Sequence, residues 1–238
     1  MRIEEFTKRF LDSNRPLDLL INCAGIMAVP LLRNDLGYES QFATNHLGHF
    51  HLASLLWPAL VKANGARVVT LSSRGHRISD IDFMDINFEN RKYDKWKAYG
   101  QSKTANALFA LELDNRGKTY GIRSFSVHAG TIITDKSRNL TDEEMQSMGA
   151  LDASGRRVLN EYNDERKIIE EGAATIVWCA TSKQLNGLGG LYCENVDIAK
   201  AVSGNEIGPG VRPWASSVES AKRLWEISEK LLAIKFPS

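Results

Sequence analysis

A tyrosine and a lysine stand four residues apart in a stretch rich in helix formers. Tyr99 and Lys103 belong to W-K-A-Y-G-Q-S-K-T-A-N-A-L-F, residues 96–109, and a helix places residues at this spacing on one face. An ammonium near a phenol favours the phenolate and lowers a pKa that is about 10 in free tyrosine. A tyrosine tuned in this way can exchange a proton near neutral pH. On the pair alone, the better explanation is an ordinary helix surface on which Tyr99 packs and Lys103 is solvated.

Small and polar residues stand where three predicted strands end. Strands are predicted over residues 17–21, 67–73 and 122–127, and the nearly unbroken apolar run of 17–21 is expected to be covered on both faces. Sites in parallel sheets form at the carboxyl ends of the strands, so the residues there are candidate functional groups. These residues are Asn22 to Gly25, Ser72 with Ser73, and His128 to Gly130.

Strand and helix patterns alternate along the chain, which predicts an α/β fold with a parallel sheet. The chain has no repeat, low-complexity tract or linker, so residues 1–238 are predicted to form one domain. Asn34 and Asp35 are expected to cap a long helix that Pro58 disturbs. The other predicted helices cover residues 3–12, 96–116, 142–148, 167–180 and 218–232, and a fourth strand begins at Gly190.

The composition of the chain excludes several classes of function. The 238 residues are 43% apolar and 25% charged with a formal charge of +1, so nothing indicates nucleic acid or an anionic membrane as partner. The three cysteines, Cys23, Cys179 and Cys193, lack C-x-x-C spacing, which favours free thiols. The charged N-terminus does not fit a signal peptide, and no apolar run approaches the ~20 residues of a membrane helix. We therefore expect a cytoplasmic protein.

Together with Asn45, these groups resemble the short-chain dehydrogenase/reductase family over nearly the whole chain and in the family's order. T-N-H-L-G-H-F (44–50), A-Y-G-Q-S-K-T-A-N (98–106) and G-G-L-Y-C-E-N (189–195) are similar to the branch of retinol dehydrogenases and WW-domain oxidoreductases. The resemblance implies a Rossmann-type doubly wound parallel sheet. It also implies an enzyme that interconverts a carbonyl and an alcohol with NAD or NADP.

The resemblance assigns a role to each residue of the motifs. Tyr99 would be the catalytic acid/base, and Lys103 would hold the nicotinamide ribose and lower the pKa of Tyr99. Ser73, rather than its neighbour Ser72, would hydrogen-bond the substrate oxygen. Asn45 would hold a water of the proton relay, although Asn is a poor helix former.

Cofactor contacts are implied at two strand ends, with two departures from the family pattern. Cys23 replaces a frequent second Asn, and Ala129 replaces a proline, which loosens the backbone at that turn. The implied contacts are Asn22, Ala24 and Gly25 on the adenosine side, and Gly130, Ile132 and Thr134 at the nicotinamide amide and phosphates.

The substrate implied by the resemblance is small and lipophilic, and a homo-oligomer is compatible with it. Residues 131–165 would form the substrate loop. The apolar residues that could line the site are Leu140, Met145, Met148 and Leu151, with Ile78, Phe83 and Met84 in addition. Ordinary loop packing is an equally good explanation of these residues.

The family's glycine-rich strand–turn–helix does not precede Met1. We therefore expect an N-terminally shortened form of a longer protein, an incomplete Rossmann domain without the family's first three strands. Residues 17–21 would then form an open apolar sheet edge, with weak dinucleotide binding and self-association. The competing hypothesis is a catalytically inactive fragment or a cofactor-free binding protein.

Two other patterns are predicted to lack function. Gly204, Gly208 and Gly210 fit G-x-x-x-G-x-G, but the stretch follows no strand and opens no helix, so a surface loop is predicted. The histidines His46, His49 and His51 are joined by no carboxylate or thiol, so no metal is predicted.

Overall fold

The structure is a computed structural model that describes residues 2–159, 161–202 and 208–237. Helices and strands alternate along it, and none of the helices in these ranges has both the length and the apolar content needed to cross a membrane. The strands are β1 (Leu19–Asn22), β2 (Arg67–Leu71), β3 (Arg123–His128), β4 (Leu191–Glu194) and β5 (Asp197–Ile198). The α-helices are α1 (Ile3–Asp12), α2 (Ser40–Phe42), α3 (Gly48–Ala63), α4 (Lys95–Gly117), α5 (Asp142–Ser147), α6 (Ile169–Thr181) and α7 (Val218–Leu232).

One sheet connects the strands in the order β1-β2-β3-β4-β5, parallel except for the antiparallel β4–β5 pair. Asn22 is in register with Thr70, and Thr70 with Ser126. The carboxyl ends of β1, β2 and β3 therefore meet at one edge of the sheet, as predicted. This arrangement confirms the predicted Rossmann-type α/β class.

Helices cover the two faces of the sheet because residues along each strand alternate in direction. Val68 of β2 belongs to a core with residues of α3, α4 and α7, among them Phe50, Phe109 and Trp225. The next residue, Val69, belongs to a second core with Cys179 of α6. Neighbouring strand residues thus anchor helices on opposite sides of the sheet.

The long helix predicted from Asn34 begins later than expected. The Asn34 side chain accepts the N–H groups of Leu36 and Tyr38, which makes a turn instead of a helix start. Glu39 is the true cap, since its carboxylate accepts the N–H groups of Gln41 and Phe42. The helix then continues through Pro58 to Ala63, so the predicted disturbance at Pro58 does not end it.

β1 differs from the strand covered on both faces that its apolar run predicts. Leu20 is buried, but Leu19 and Ile21 are 39% and 45% exposed. The physical reason is that α6 packs against β2, β3 and β4, and the other edge of β1 pairs with no strand among the described residues.

Two predictions from the sequence are not tested by the fold. The glycine pattern that begins at Gly204 starts outside the described residues. The single domain with a substrate loop over residues 131–165 stays a prediction.

Candidate functional site

α4 carries Tyr99 to the end of β2. Asp94 caps the start of this helix, and its carboxylate accepts the N–H groups of Trp96 and Lys97 at 2.8 and 2.9 Å. Tyr99 lies in the first turns, with 5% of its surface exposed, and its side chain lies beside the Ser73 hydroxyl. The structure therefore brings together the tyrosine and the serine that the sequence predicts as partners.

Two glycines allow this close approach, and the sequence reasoning missed both. A Cβ at Gly100 would lie 2.9 Å from the carbonyl oxygen of Gly75 and 3.0 Å from the backbone nitrogen of Ser79. A Cβ at Gly75 would lie 2.7 Å from the ring of Tyr99. Real Cβ atoms do not approach other atoms so closely, so α4 can contact the 3-10 turn Arg74–Arg77 only with glycine at these positions. Gly100 could have been identified from the sequence, because it directly follows Tyr99.

The adjacent serines have different surroundings. The Ser72 hydroxyl is buried and donates to the carbonyl oxygen of Lys103 at 2.7 Å. The Ser73 hydroxyl accepts the N–H of Gly75 at 3.0 Å and meets the Tyr99 phenol. Ser72 thus ties β2 to α4, whereas Ser73 lies beside the proton-carrying group.

The pKa of Tyr99 is raised, whereas the sequence predicts a lowered one. Burial raises this pKa to about 12, against a smaller lowering by the neighbouring Ser73 hydroxyl. The Lys103 ammonium lies 5.8 Å from the centre of the Tyr99 ring. It donates to the carbonyl oxygen of Leu71 at 2.8 Å and to Oδ1 of Asn106 at 3.2 Å. Lys103 does not contribute to this pKa, so the predicted lowering by Lys103 is wrong.

Asn45 lies in a π-helical turn, Ala43–Leu47, an irregularity that is frequent at functional sites. Its side chain is buried, accepts the N–H of Ile26 at 2.9 Å and donates to the hydroxyl of Ser102 at 2.9 Å. Its carbonyl oxygen accepts Nδ2 of Asn106 at 2.6 Å. Asn106 therefore links Lys103 to Asn45. The sequence reasoning missed it, although its position three residues after Lys103 places both on one helix face.

Comparison with known proteins agrees with this geometry. The profile of the family described as short chain dehydrogenase matches residues 1–145. The chain belongs to the short chain dehydrogenase family. Members of this family are oxidoreductases, so the predicted enzyme class is confirmed.

Individual relatives support the predicted branch. The chain is 42% identical to a probable oxidoreductase of Streptomyces lividans over 92% of this chain and 73% of that protein. It is 34% identical to retinol dehydrogenase 12 of Mus musculus over 98% of this chain and 67% of that protein. The crystal structure of an uncharacterized protein from Mycobacterium paratuberculosis is similar with a TM-score of 0.68 at 31% identity, covering 98% of this chain and 73% of that one.

The family implies a nicotinamide cofactor, and two features at the predicted contacts fit one. Asn22 donates to the Thr70 hydroxyl at 3.3 Å, while its buried Oδ1 has no hydrogen-bond partner among the described residues and could accept a ligand donor. Gly130 has a φ of +92°, a conformation that favours glycine. A Cβ there would also lie 2.8 Å from the side chain of Lys167.

The remaining predicted contacts are less tightly placed. Ala24 is exposed and Gly25 is half-buried in the turn after β1. Ile132 packs against Gly172 at the start of α6, and Thr134 is exposed just before the 3-10 turn Asp135–Asn139. These positions lie at or just after the ends of β1 and β3.

The predicted apolar lining is mostly packed core. Leu140 and Met145 are buried with Ala28 in a cluster beside α5, and Met148 and Leu151 pack against this cluster. For Leu140 and Met145 the alternative of ordinary packing is therefore correct, because α5 packs onto the loop after β1. Ile78 and Met84 are exposed, and Phe83 packs against the separate core of Phe42 and Leu108.

The three histidines have separate partners. His46 contacts the Ser228 hydroxyl at 2.7 Å, His49 contacts the carbonyl oxygen of Asn45 at 2.9 Å, and His51 lies 3.9 Å from Glu4. Burial lowers the pKa of His46 to about 3, so its imidazole is neutral at physiological pH. No metal-binding group of His, Cys, Asp and Glu occurs in the described part of the chain.

Proposed function

We propose that this protein is an NAD(P)-dependent oxidoreductase that interconverts a carbonyl and an alcohol on a small lipophilic substrate, with Tyr99 as acid/base. The observation that carries the proposal is the position of the buried Tyr99 beside the Ser73 hydroxyl at the carboxyl end of β2. A phenol and a hydroxyl held in contact can bind one substrate oxygen between them.

Each group of this chain has a task that its surroundings support. Tyr99, whose pKa burial raises to about 12, is protonated at neutral pH, and its phenol would donate that proton to a carbonyl oxygen. Ser73 would hold that oxygen in line with the phenol. Lys103 would bind the ribose hydroxyls of the cofactor, and the link through Asn106 to Asn45 orients its ammonium. The bound nicotinamide would supply the hydride.

The lipophilic character of the substrate rests on the groups around Tyr99. The Trp96 ring lies edge-on to Tyr99 with 6.2 Å between ring centres. The exposed side chain of Ile78 lies beside Gly100, the neighbour of Tyr99. Retinol dehydrogenase 12, a relative of this chain, carries a lipophilic alcohol in its name. These apolar groups favour a substrate whose polar part is the reacting oxygen.

The test is turnover of NADPH and NADH by the purified protein with a panel of medium-chain aldehydes and retinal. Tyr99→Phe should keep the fold and lose about 10²- to 10⁴-fold in kcat, because it removes the proton donor. Tyr120→Phe is the matched control, because Tyr120 is an exposed tyrosine that packs on Trp57. Turnover of Tyr99→Phe within tenfold of the parent would overturn the acid/base assignment. A parent that neither turns over nor binds dinucleotide in calorimetry would instead favour the cofactor-free binding protein.

A further inference from the structure

A histidine and a glutamate outside the predicted site connect three of its segments. His128 ends β3 and is buried, and its Nε2 lies 2.9 Å from Oε1 of Glu165. The same carboxylate oxygen lies 3.0 Å from Nη1 of Arg74. On the other side of the ring, Nδ1 of His128 is 3.2 Å from the backbone nitrogen of Arg74 and 3.4 Å from that of Gly130.

These contacts select one form of the imidazole. The two backbone N–H groups can only donate, so Nδ1 of His128 must carry a lone pair and accept them. The Glu165 carboxylate can only accept, so Nε2 must carry the proton. His128 is therefore neutral and protonated at Nε2, with both ring nitrogens in use.

The segments held by this ring are those on which the proposed reaction depends. Arg74 directly follows Ser73, and Gly130 occupies the turn predicted to meet the nicotinamide. The carbonyl oxygen of Glu165 accepts the N–H of Thr131 at 2.6 Å, and the carbonyl oxygen of Thr131 accepts that of Lys167 at 3.0 Å. The 131–165 segment thus leaves and returns to the sheet at the same point.

We propose that His128 and Glu165 are positioning residues that hold the Ser73 turn and the Gly130 turn in one fixed relation. The inference rests on the proposed function, since its effect on turnover follows only if Ser73 and Gly130 serve one reaction. Neither residue touches the reacting atoms. They act through the backbone of Arg74 and Gly130, where a displacement of about 1 Å can lower turnover by about 10²-fold.

The first arm of the test needs no turnover. Nitrogen NMR of His128 should show the neutral form protonated at Nε2, and Glu165→Ala should shift the ring towards a mixture of tautomers. In His128→Leu, amide hydrogen exchange at Arg74 and Gly130 should be faster by roughly tenfold or more, because both donors lose their acceptor. His128→Asn can offer Oδ1 in place of Nδ1 and should restore most of the protection. Unchanged exchange in His128→Leu, or a His128 protonated at Nδ1, would overturn the proposal.

The second arm measures kcat and KM separately. His128→Leu should lower kcat by roughly tenfold or more with a smaller change in substrate KM, and His128→Asn should recover much of that loss. His51→Leu is the matched control, because it removes a histidine beside a glutamate at the α1–α3 contact. A variant with a lower melting temperature but parental kcat would show a purely structural role. A parent without turnover would contradict the proposed function. The exchange and NMR results would still show whether His128 and Glu165 hold the Ser73 turn and the Gly130 turn together.

Discussion

Ser72 and Ser73 carry the same hydroxyl one residue apart, but their partners differ. The Ser72 hydroxyl is engaged with the backbone of α4, whereas the Ser73 hydroxyl faces the phenol of Tyr99. The difference arises from strand geometry, since neighbouring residues of an extended chain point in opposite directions.

Replacing each serine separately should show that Ser73 mainly affects activity and Ser72 mainly affects stability. Ser73→Ala should lower kcat by about 10²-fold, as expected when one group that stabilises a reacting oxygen is removed. Ser72→Ala should lower the free energy of unfolding by about 1 kcal/mol through the lost hydrogen bond to Lys103 and should affect kcat less. The measurements are steady-state kinetics and denaturant unfolding. The reverse order of kcat values would show that Ser72 is the substrate-binding hydroxyl.

At the scale of elements, the distance between α4 and the Arg74–Arg77 turn is set by glycine. Gly100→Ala should push α4 away from the turn, because the added Cβ would meet backbone atoms at 2.9 and 3.0 Å. Overpacking of this kind costs about 1–3 kcal/mol, partly offset by about 1 kcal/mol of helix propensity. We expect a lower melting temperature and a lower kcat, since Tyr99 moves with the helix.

Gly48→Ala is the control for this substitution. Gly48 also lies inside the helical segment, but its Cβ would stand 3.5 Å from the carbonyl oxygen of Ala43, an ordinary contact. Gly48→Ala should therefore be neutral or stabilising in thermal unfolding. Equal behaviour of the two variants would show that the close approach at Gly100 does not constrain the site.

α5 is fixed to the start of α4 by one carboxylate. Glu144 accepts Nζ of Lys95 and Nε1 of Trp96, each at 2.8 Å. Burial by itself raises the pKa of Glu144. The hydrogen bonds from Lys95, Trp96 and the Thr141 N–H, together with the charge of Lys95, outweigh burial and lower the pKa to about 2. Because the pKa in the folded chain lies below its ordinary 4.5, the carboxylate stabilises the docked α5 above that pH.

This contribution should disappear as the pH falls from about 4.5 to about 2, when Glu144 takes up a proton. Glu144→Gln should reproduce the loss at neutral pH and speed amide exchange over residues 141–148 by several-fold. Glu143→Gln is the control, because Glu143 is an exposed neighbour on the same helix. Equal exchange in both variants would contradict the docking role.

At the scale of the whole molecule, β1 lies at one end of the sheet formed by the described residues and exposes apolar side chains. Leu19 and Ile21 lie on the strand at the sheet edge. Exposed apolar edge strands pair with other chains, and lysine on such an edge opposes pairing. The chain should therefore self-associate at concentrations where Ile21→Lys is monodisperse in light scattering. Leu188→Lys, at a similarly exposed loop leucine, should not have this effect, and a monodisperse parent would contradict the prediction.

The sequence by itself determined the order of the elements and the chemistry at the strand ends. Helix and strand periods are local properties, so α1, α4, α7 and the four parallel strands could be predicted within a few residues. Tyr99 and Lys103 could be found because their spacing fixes a common helix face. Turn chemistry competed with helix propensity at Asn34, and there the predicted boundary failed.

Only the tertiary structure decided the environment of each group. Three properties depend on contacts between residues far apart in the chain. They are the pKa of Tyr99, the burial of Leu140 and Met145, and the hydrogen bond between His128 and Glu165. His128 and Glu165 are separated by 37 positions, and no local pattern records that they meet. Burial and partnership arise when distant segments pack together, so the physical reason lies in the fold rather than in any single stretch of sequence.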